Sequence, residues 1–326
     1  MTSKLEQGRD SAVGQPTLSH MALLLLAVFA VSSSAALVRW TDVSAITIAF
    51  WRTFGGALIL AGPAWRIRQE RAIPANRNGR AGWLFSAVAG TALALHFATW
   101  LTSLELTSAA ASLTLAATAP IFVAGWWWLN GRPPSARAWV AIAVAIVGVA
   151  VIAGGSLLED ATNLRGNALA LIGAVTAAAY MVAGERAQEE LPIATYAFRA
   201  YFSAAVVLTV IAAVSGDALW SGAGNSAAWD RKTVLALVLF VVGPQLLGHT
   251  VLNSLLPRIG SLSVTMALLA EPILGSLLVW LWFSEVPTAA VWIGAPLVIG
   301  GLAFQLWDQA RGVREGSWWP APADRP

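Results

Sequence analysis

The chain has 326 residues, of which 57% are hydrophobic and only 11% charged, a balance more apolar than a water-soluble domain carries. Its mean hydropathy of +0.67 and recurrent charge-poor runs of about 20 residues, the length that crosses ~30 Å of hydrocarbon, indicate an integral membrane protein. The net charge of +3 is then no nucleic-acid footprint, and the absence of cysteine excludes disulfides, thiol catalysis and cysteine-ligated metals.

The first 18 residues are polar and are followed by an apolar run without a small-residue cleavage site, so that run is expected to stay as the first span. Apolar runs between charged or Gly/Pro-rich breaks predict ten spans: 20–39, 44–64, 82–102, 107–129, 138–154, 166–185, 192–214, 233–256, 261–283 and 288–307. An even number puts both termini on one side. If that side is the cytoplasm, Lys4, Arg9, Arg66, Arg68, Arg71, Arg77, Arg80, Arg132, Arg137, Arg186, Arg258, Arg311, Arg314 and Arg325 are inside, and only Arg39, Arg165, Arg231 and Lys232 are outside. The acidic inside segment GERAQEE, 184–190, weighs little in this rule. Tryptophans such as Trp126, Trp127, Trp128 and Trp139 gather beside span ends as interfacial anchors.

Sliding the chain on itself by about 150 residues lays GTALALHFATW, from Gly90, on GPQLLGHTVLN, from Gly243, and His96 on His249. Pro120 then falls on Pro272, Pro134 on Pro287, Trp139 on Trp292 and Gly148 on Gly301, and a slightly smaller slide puts Arg52 on Arg199. Each half holds five spans; five is odd, so the second copy enters the membrane inverted. The expected fold is an all-α integral membrane protein of ten transmembrane helices in two inverted five-helix repeats, 19–155 and 165–308. An external linker, 156–164, joins them, and cytoplasmic tails, 1–18 and 309–326, flank them.

Polar side chains in hydrocarbon are costly and face protein or water. Gln245, His249 and Asn253, four apart in QLLGHTVLN, drift only about 80° around a helix over two steps. With His96 and Trp100 they are expected to line a central cavity as substrate contacts. For the two histidines, a hydrogen bond tying neighbouring helices together stands as the alternative to substrate contact or proton handling. Arg52 and Arg199, inside spans, either attract an anion or serve the fold by bonding helix carbonyls or snorkelling. Glu271, before Pro272 in the ninth span, has Ala119 as its partner position. It suits either a proton-coupling group or a fixed salt bridge. Pro120 and Pro272 predict helix kinks, Thr114 and Thr118 hydroxyls that bond back to their own helix, and Ala141 with Ala145 and Gly300 with Gly301 close helix packing. There is no HExxH, no phosphate-binding glycine loop and no nucleophile turn, and SGD at 215–217 lacks the partner motif of an intramembrane protease. No enzyme, metal or cofactor is expected.

Three stretches, LHFATWLTSLELTSAAASLTLAATAPIFVA at 95–124, GERAQ at 184–188 and the run from PQLLGHTVLN to IGGLA at 244–303, resemble EamA-type members of the drug/metabolite transporter superfamily. The resemblance implies a ten-helix bundle that carries small metabolites or drugs across the cytoplasmic membrane by alternating access. Members often carry a glutamate after the fourth span of each half. Glu285 fills that place in the second half, where a loop or helix-end role is expected, but Gly131 and Arg132 stand there in the first. The expected function is secondary export of a small polar or amphipathic metabolite, such as an amino acid or drug-like compound, by a monomer or homodimer in the bilayer. A passive channel or lipid scramblase is the alternative.

Overall fold

The structure is a computed structural model and describes residues 17–41, 43–70, 77–107, 109–153, 163–220, 229–284 and 286–315. The predicted tails before 17 and after 315, most of the linker, and Glu285 lie outside the described residues. The helices are α1 Leu18–Trp40, α2 Ala45–Glu70, α3 Arg77–Leu106, α4 Ala109–Ala116, α5 Ala119–Leu129 and α6 Ala136–Ala153 in the first half. The second half has α7 Leu164–Gln188, α8 Ile193–Ser215, α9 Arg231–Phe240, a wide-turned π segment Val241–Thr250, α10 Val251–Leu268, α11 Glu271–Phe283 and α12 Ala289–Glu315. No strand occurs among the described residues.

The helical run Arg231–Leu268 is 38 residues long, about 57 Å at 1.5 Å per residue and therefore too long for one crossing. Gly260, at φ 79° and ψ 155°, breaks it. A side chain is strained in that conformation and glycine is not. The run therefore divides into the end of the eighth span and the start of the ninth, which brings the described chain to ten spans. Charged ends carry several helices beyond the predicted hydrocarbon limits: α2 runs to Glu70 and α12 to Glu315.

The fourth and ninth spans differ from expectation. Each was predicted as one kinked helix, but each is two helices separated by a tight turn, α4 from α5 and α10 from α11. The two turns have the same hydrogen bonds: Thr118 N–H to Leu115 O at 3.1 Å matches Ala270 N–H to Ala267 O at 3.1 Å, and Ile121 N–H to Thr118 O at 2.9 Å matches Ile273 N–H to Ala270 O at 3.1 Å. Proline follows the first residue of α5 and of α11, where its missing N–H costs no helical bond.

Packing follows the pseudo-two-fold. α3 lies against α7 as the eighth span lies against α1, α7 touches α4 and α5 as α1 touches α11, and α2 pairs with α8 and α6 with α12. Glycines permit the closest approaches. A Cβ on Gly90 would sit 2.2 Å from the Ala200 carbonyl oxygen, and one on Gly301 2.8 Å from that of Ala141. Gly300 has open space instead, so only Gly301 of the predicted pair packs.

Contacts sort the loops to two ends. Trp40 with Trp282, Trp51 with Trp220 and Trp229, and Thr107 with Asn167 at 3.0 Å gather at one end. Gly82 with Glu190 at 2.9 Å and Ser135 with Asp308 at 2.5 Å gather at the other, which carries the starts of α1 and α3 and the end of α12. These are called the opposite end and the terminal end below.

Gly90→Ala should lower stability by roughly 1 to 3 kcal/mol, because the α3–α8 backbones must part. Gly300→Ala should be neutral or gain up to about 1 kcal/mol of helix propensity. Thermal unfolding of both variants in detergent checks the contrast.

Candidate substrate-binding site

A cavity of about 520 Å³ extends from Arg52 and Glu271, in the middle of the bundle, to Val286, Pro287 and Thr288 at the opposite end. Its walls are mostly apolar: Leu101, Leu104, Leu113, Val149, Ile152, Phe240 and Val279. A smaller chamber of about 90 Å³ continues inward and shares Ser34, Arg52, Trp100, Leu113, Glu271 and Pro272 with the first. His96, Phe97, Tyr180, His249, Ala119 and Pro120 complete much of its wall. Both interrupted spans therefore end on this chamber. Irregular backbone at membrane depth is tolerated where it lines such a space.

Arg52 enters from α2 and is 2% exposed. Its Nε donates to Gln245 Oε1 at 3.0 Å and its guanidinium carbon lies 4.2 Å from the centre of the Phe97 ring, while Nη2 has no partner. Glu271, the first residue of α11, lines both chambers, and no hydrogen bond or ion pair within 4 Å holds its carboxylate among the described residues. His96 bonds the Gly173 carbonyl through Nδ1 at 2.9 Å and stacks on Trp100, rings 5.8 Å apart and 5° from parallel. His249 meets Phe97 edge-on at 5.4 Å, and its Nδ1 is buried without a partner.

The three-residue stripe divides. His249 is on the chamber wall, but Gln245 and Asn253 line neither chamber and hold other side chains in place. Gln245 positions Arg52. Asn253 Nδ2 donates to Tyr180 Oη at 2.6 Å and to Tyr201 Oη at 3.4 Å. Tyr201 exchanges a hydrogen bond with Thr250 Oγ1 at 2.9 Å, and Thr250 Oγ1 donates back to Gln245 O, five residues earlier, at 3.1 Å. This network follows the π segment, whose wide turn brings residues five apart into register. Tyr180 and Tyr201 were not foreseen. Of the chain's three tyrosines both lie inside predicted spans rather than at their ends, and that placement was the available signal. Arg199, in α8, is half-buried and lines neither chamber.

At the terminal end the bundle is tied shut by polar contacts. Glu185 Oε2 accepts from Ser261 N–H at 2.8 Å, which caps the helix that restarts after Gly260. Trp127 Nε1 of the first half donates to Ser261 Oγ at 3.0 Å. Gln309 Nε2 donates to Ile259 O at 3.0 Å and its Oε1 accepts from Ser263 at 2.6 Å. Arg186 lies 5.0 Å over the Trp127 ring.

A family model described as the EamA-like transporter family matches residues 18–154 and again 164–307. The chain belongs to this family. The two matched segments are the two repeats, and the family identifies a drug/metabolite-type transporter in a multi-pass membrane protein. A search of curated proteins gives no match. A solved structure titled only "Crystal structure of protein" is 18% identical, with 92% of this chain and 100% of that one covered and a TM-score of 0.69; at that identity it supports the fold alone.

Asn253→Ala leaves two buried tyrosine hydroxyls without their shared donor. A loss of about 1 to 3 kcal/mol is expected, read as a lower unfolding temperature, with Tyr201→Phe losing less because only one hydroxyl is removed.

Proposed function

We propose that this member of the family is a secondary transporter that exports a small polar or amphipathic metabolite, such as an amino acid or drug-like compound, by alternating access. The observation that carries this reading is a cavity that begins at paired helix breaks between the repeats and extends to one end, while polar contacts tie the other end together. Such a site at the repeat interface near the midplane suits a mechanism in which the halves rock about a bound substrate. The tied terminal end favours a transporter over a standing channel, and the mostly apolar wall with one guanidinium and one carboxylate favours an amphipathic cargo.

The excess of basic residues on the terminal side favours a cell inner membrane with both termini cytoplasmic, and in that orientation the described state faces outward. The chain works as a monomer or homodimer in the bilayer, without nucleic acid. His96, Trp100 and His249 contact substrate, Gln245 and Asn253 position the wall, and Glu271 is the proton-coupling group. Arg52 is the cation of the site; Arg199 serves the fold.

In reconstituted vesicles the reading predicts saturable flux and accelerated exchange when substrate is present on both sides. Glu271→Gln should abolish stimulation by a pH gradient and leave exchange intact. Equal gradient responses of wild type and variant would make Glu271 structural, and non-saturable flux without exchange would return the channel or scramblase.

A further inference from the structure

The repeat relation holds down to single contacts. A Cβ on Gly148 would sit 2.9 Å from the Gly294 carbonyl oxygen and 2.8 Å from the Val298 nitrogen, and one on Gly301 would sit 2.8 Å from the Ala141 carbonyl oxygen and 3.0 Å from the Ala145 nitrogen. Each residue of one set is the repeat partner of a residue of the other. The wall of the larger cavity has partners in the same way. In the frames that pair Arg52 with Arg199, His96 with His249, Gly148 with Gly301 and Pro120 with Pro272, the wall residues Ile48, Trp100, Ile152 and Val279 correspond to Thr195, Asn253, Gln305 and Trp127. None of these four partners lines either chamber, and they are 4%, 0%, 0% and 3% exposed.

Three of the four carry polar atoms that the described state leaves idle. Among the described residues, Ser34 Oγ, Arg52 Nη2, Trp100 Nε1 and His249 Nδ1 are buried without a hydrogen bond, but all four side chains border the chambers. Thr195 Oγ1, Asn253 Oδ1 and both amide atoms of Gln305 are equally without a partner and border no space. A membrane interior keeps such groups only at a cost. The polar groups that the described state does not employ are those that the symmetry places on a second wall. The fourth partner holds that wall closed: Val279 leaves the described cavity open, whereas Trp127 fills the matching position and donates across the repeats to Ser261 Oγ at 3.0 Å.

We propose that the terminal end opens, in the other state of the protein, onto a second cavity whose wall carries Thr195, Asn253 and Gln305, with Trp127 as its plug. Where the described cavity has isoleucine at 48 and at 152, the second has a hydroxyl and a primary amide. The path is therefore apolar toward the opposite end and hydrogen-bonding toward the terminal end, so an amphipathic cargo meets partners for its hydrocarbon body on one side and for its uncharged polar groups on the other. The inference rests on the alternating access proposed above.

The chain has no cysteine, so Gln305→Cys can be followed by a charged, membrane-impermeant thiosulfonate added on the side of the termini in reconstituted vesicles; a thiol in a dry helix contact does not ionise and does not react. Labelling should be about fivefold faster when Trp127→Phe is added, the change in population that loss of one hydrogen bond of ordinary net strength gives. Thr195→Cys should behave alike and decides the matter if Gln305→Cys does not fold. Val298→Cys, at a position 0% exposed and pressed on Gly148, should stay unreactive in both backgrounds. No labelling at 305 or 195 in either background, equal rates with and without Trp127→Phe, or labelling of 298 as fast as of 305 overturns the proposal. Saturable flux and exchange with 305 and 195 unreactive would overturn this inference and leave the transport reading; labelling as predicted without flux or exchange would overturn the transport reading and leave the second cavity.

Discussion

In hydrocarbon a backbone N–H or carbonyl without a partner costs several kcal/mol, and this chain interrupts two of its ten spans at mid-depth. The interruptions survive because tight turns recover most of the lost bonds and because both face an internal space instead of lipid. Everything at the site follows from that. A broken helix brings the C-terminus of one half-helix and the N-terminus of the next to the membrane centre, and the chain gathers Arg52, Glu271, His96 and His249 around these ends.

The inverted repeat explains why there are two breaks, and the departures from symmetry explain what each does. Glycine at 90 closes α3 on α8, and glycine at 301 closes α12 on α6. At the breaks the copies diverge, alanine at 119 against glutamate at 271, and around them Arg52 reaches the chamber while its repeat partner Arg199 does not. A symmetric scaffold thus carries an asymmetric site. The terminal end diverges too: Trp127 joins the halves there through Ser261, the Glu185 and Gln309 contacts hold the second half together around it, and the opposite end holds the mouth-side walls of the larger cavity.

Much of this architecture was legible in the sequence because bilayer thickness imposes run lengths that hydropathy reads directly. The repeat was legible from two histidines in matching frames, and it drew attention to His96, His249 and Glu271, all of which border the inner chamber. Other features were not. Pro120 and Pro272 announced a disturbance, but a proline pattern does not separate a kink from a break. A spacing of four placed Gln245, His249 and Asn253 on one face, yet the π segment widens the turn there, so Gln245 and Asn253 hold Arg52 and the tyrosines while His249 alone meets the space. The Asn253, Tyr180, Tyr201 and Thr250 network joins three consecutive spans across separations of 49 to 73 residues, a coincidence that no local pattern encodes.

The central claim is that the broken ninth span faces a cavity that runs from the membrane centre to the end opposite the termini. The chain contains no cysteine, so a single introduced thiol reports without background. Ser276→Cys lies on the cavity wall five residues beyond Glu271 in the same helix, and Leu247→Cys lies on an exposed face in the middle of its own span. Only an ionised, water-accessible thiol reacts readily with a charged, membrane-impermeant thiosulfonate. Rapid labelling at 276 from the side opposite the termini, with 247 unreactive, is the predicted result. Failure to label 276, or equal labelling at both positions, would contradict the cavity and the functional account that depends on it.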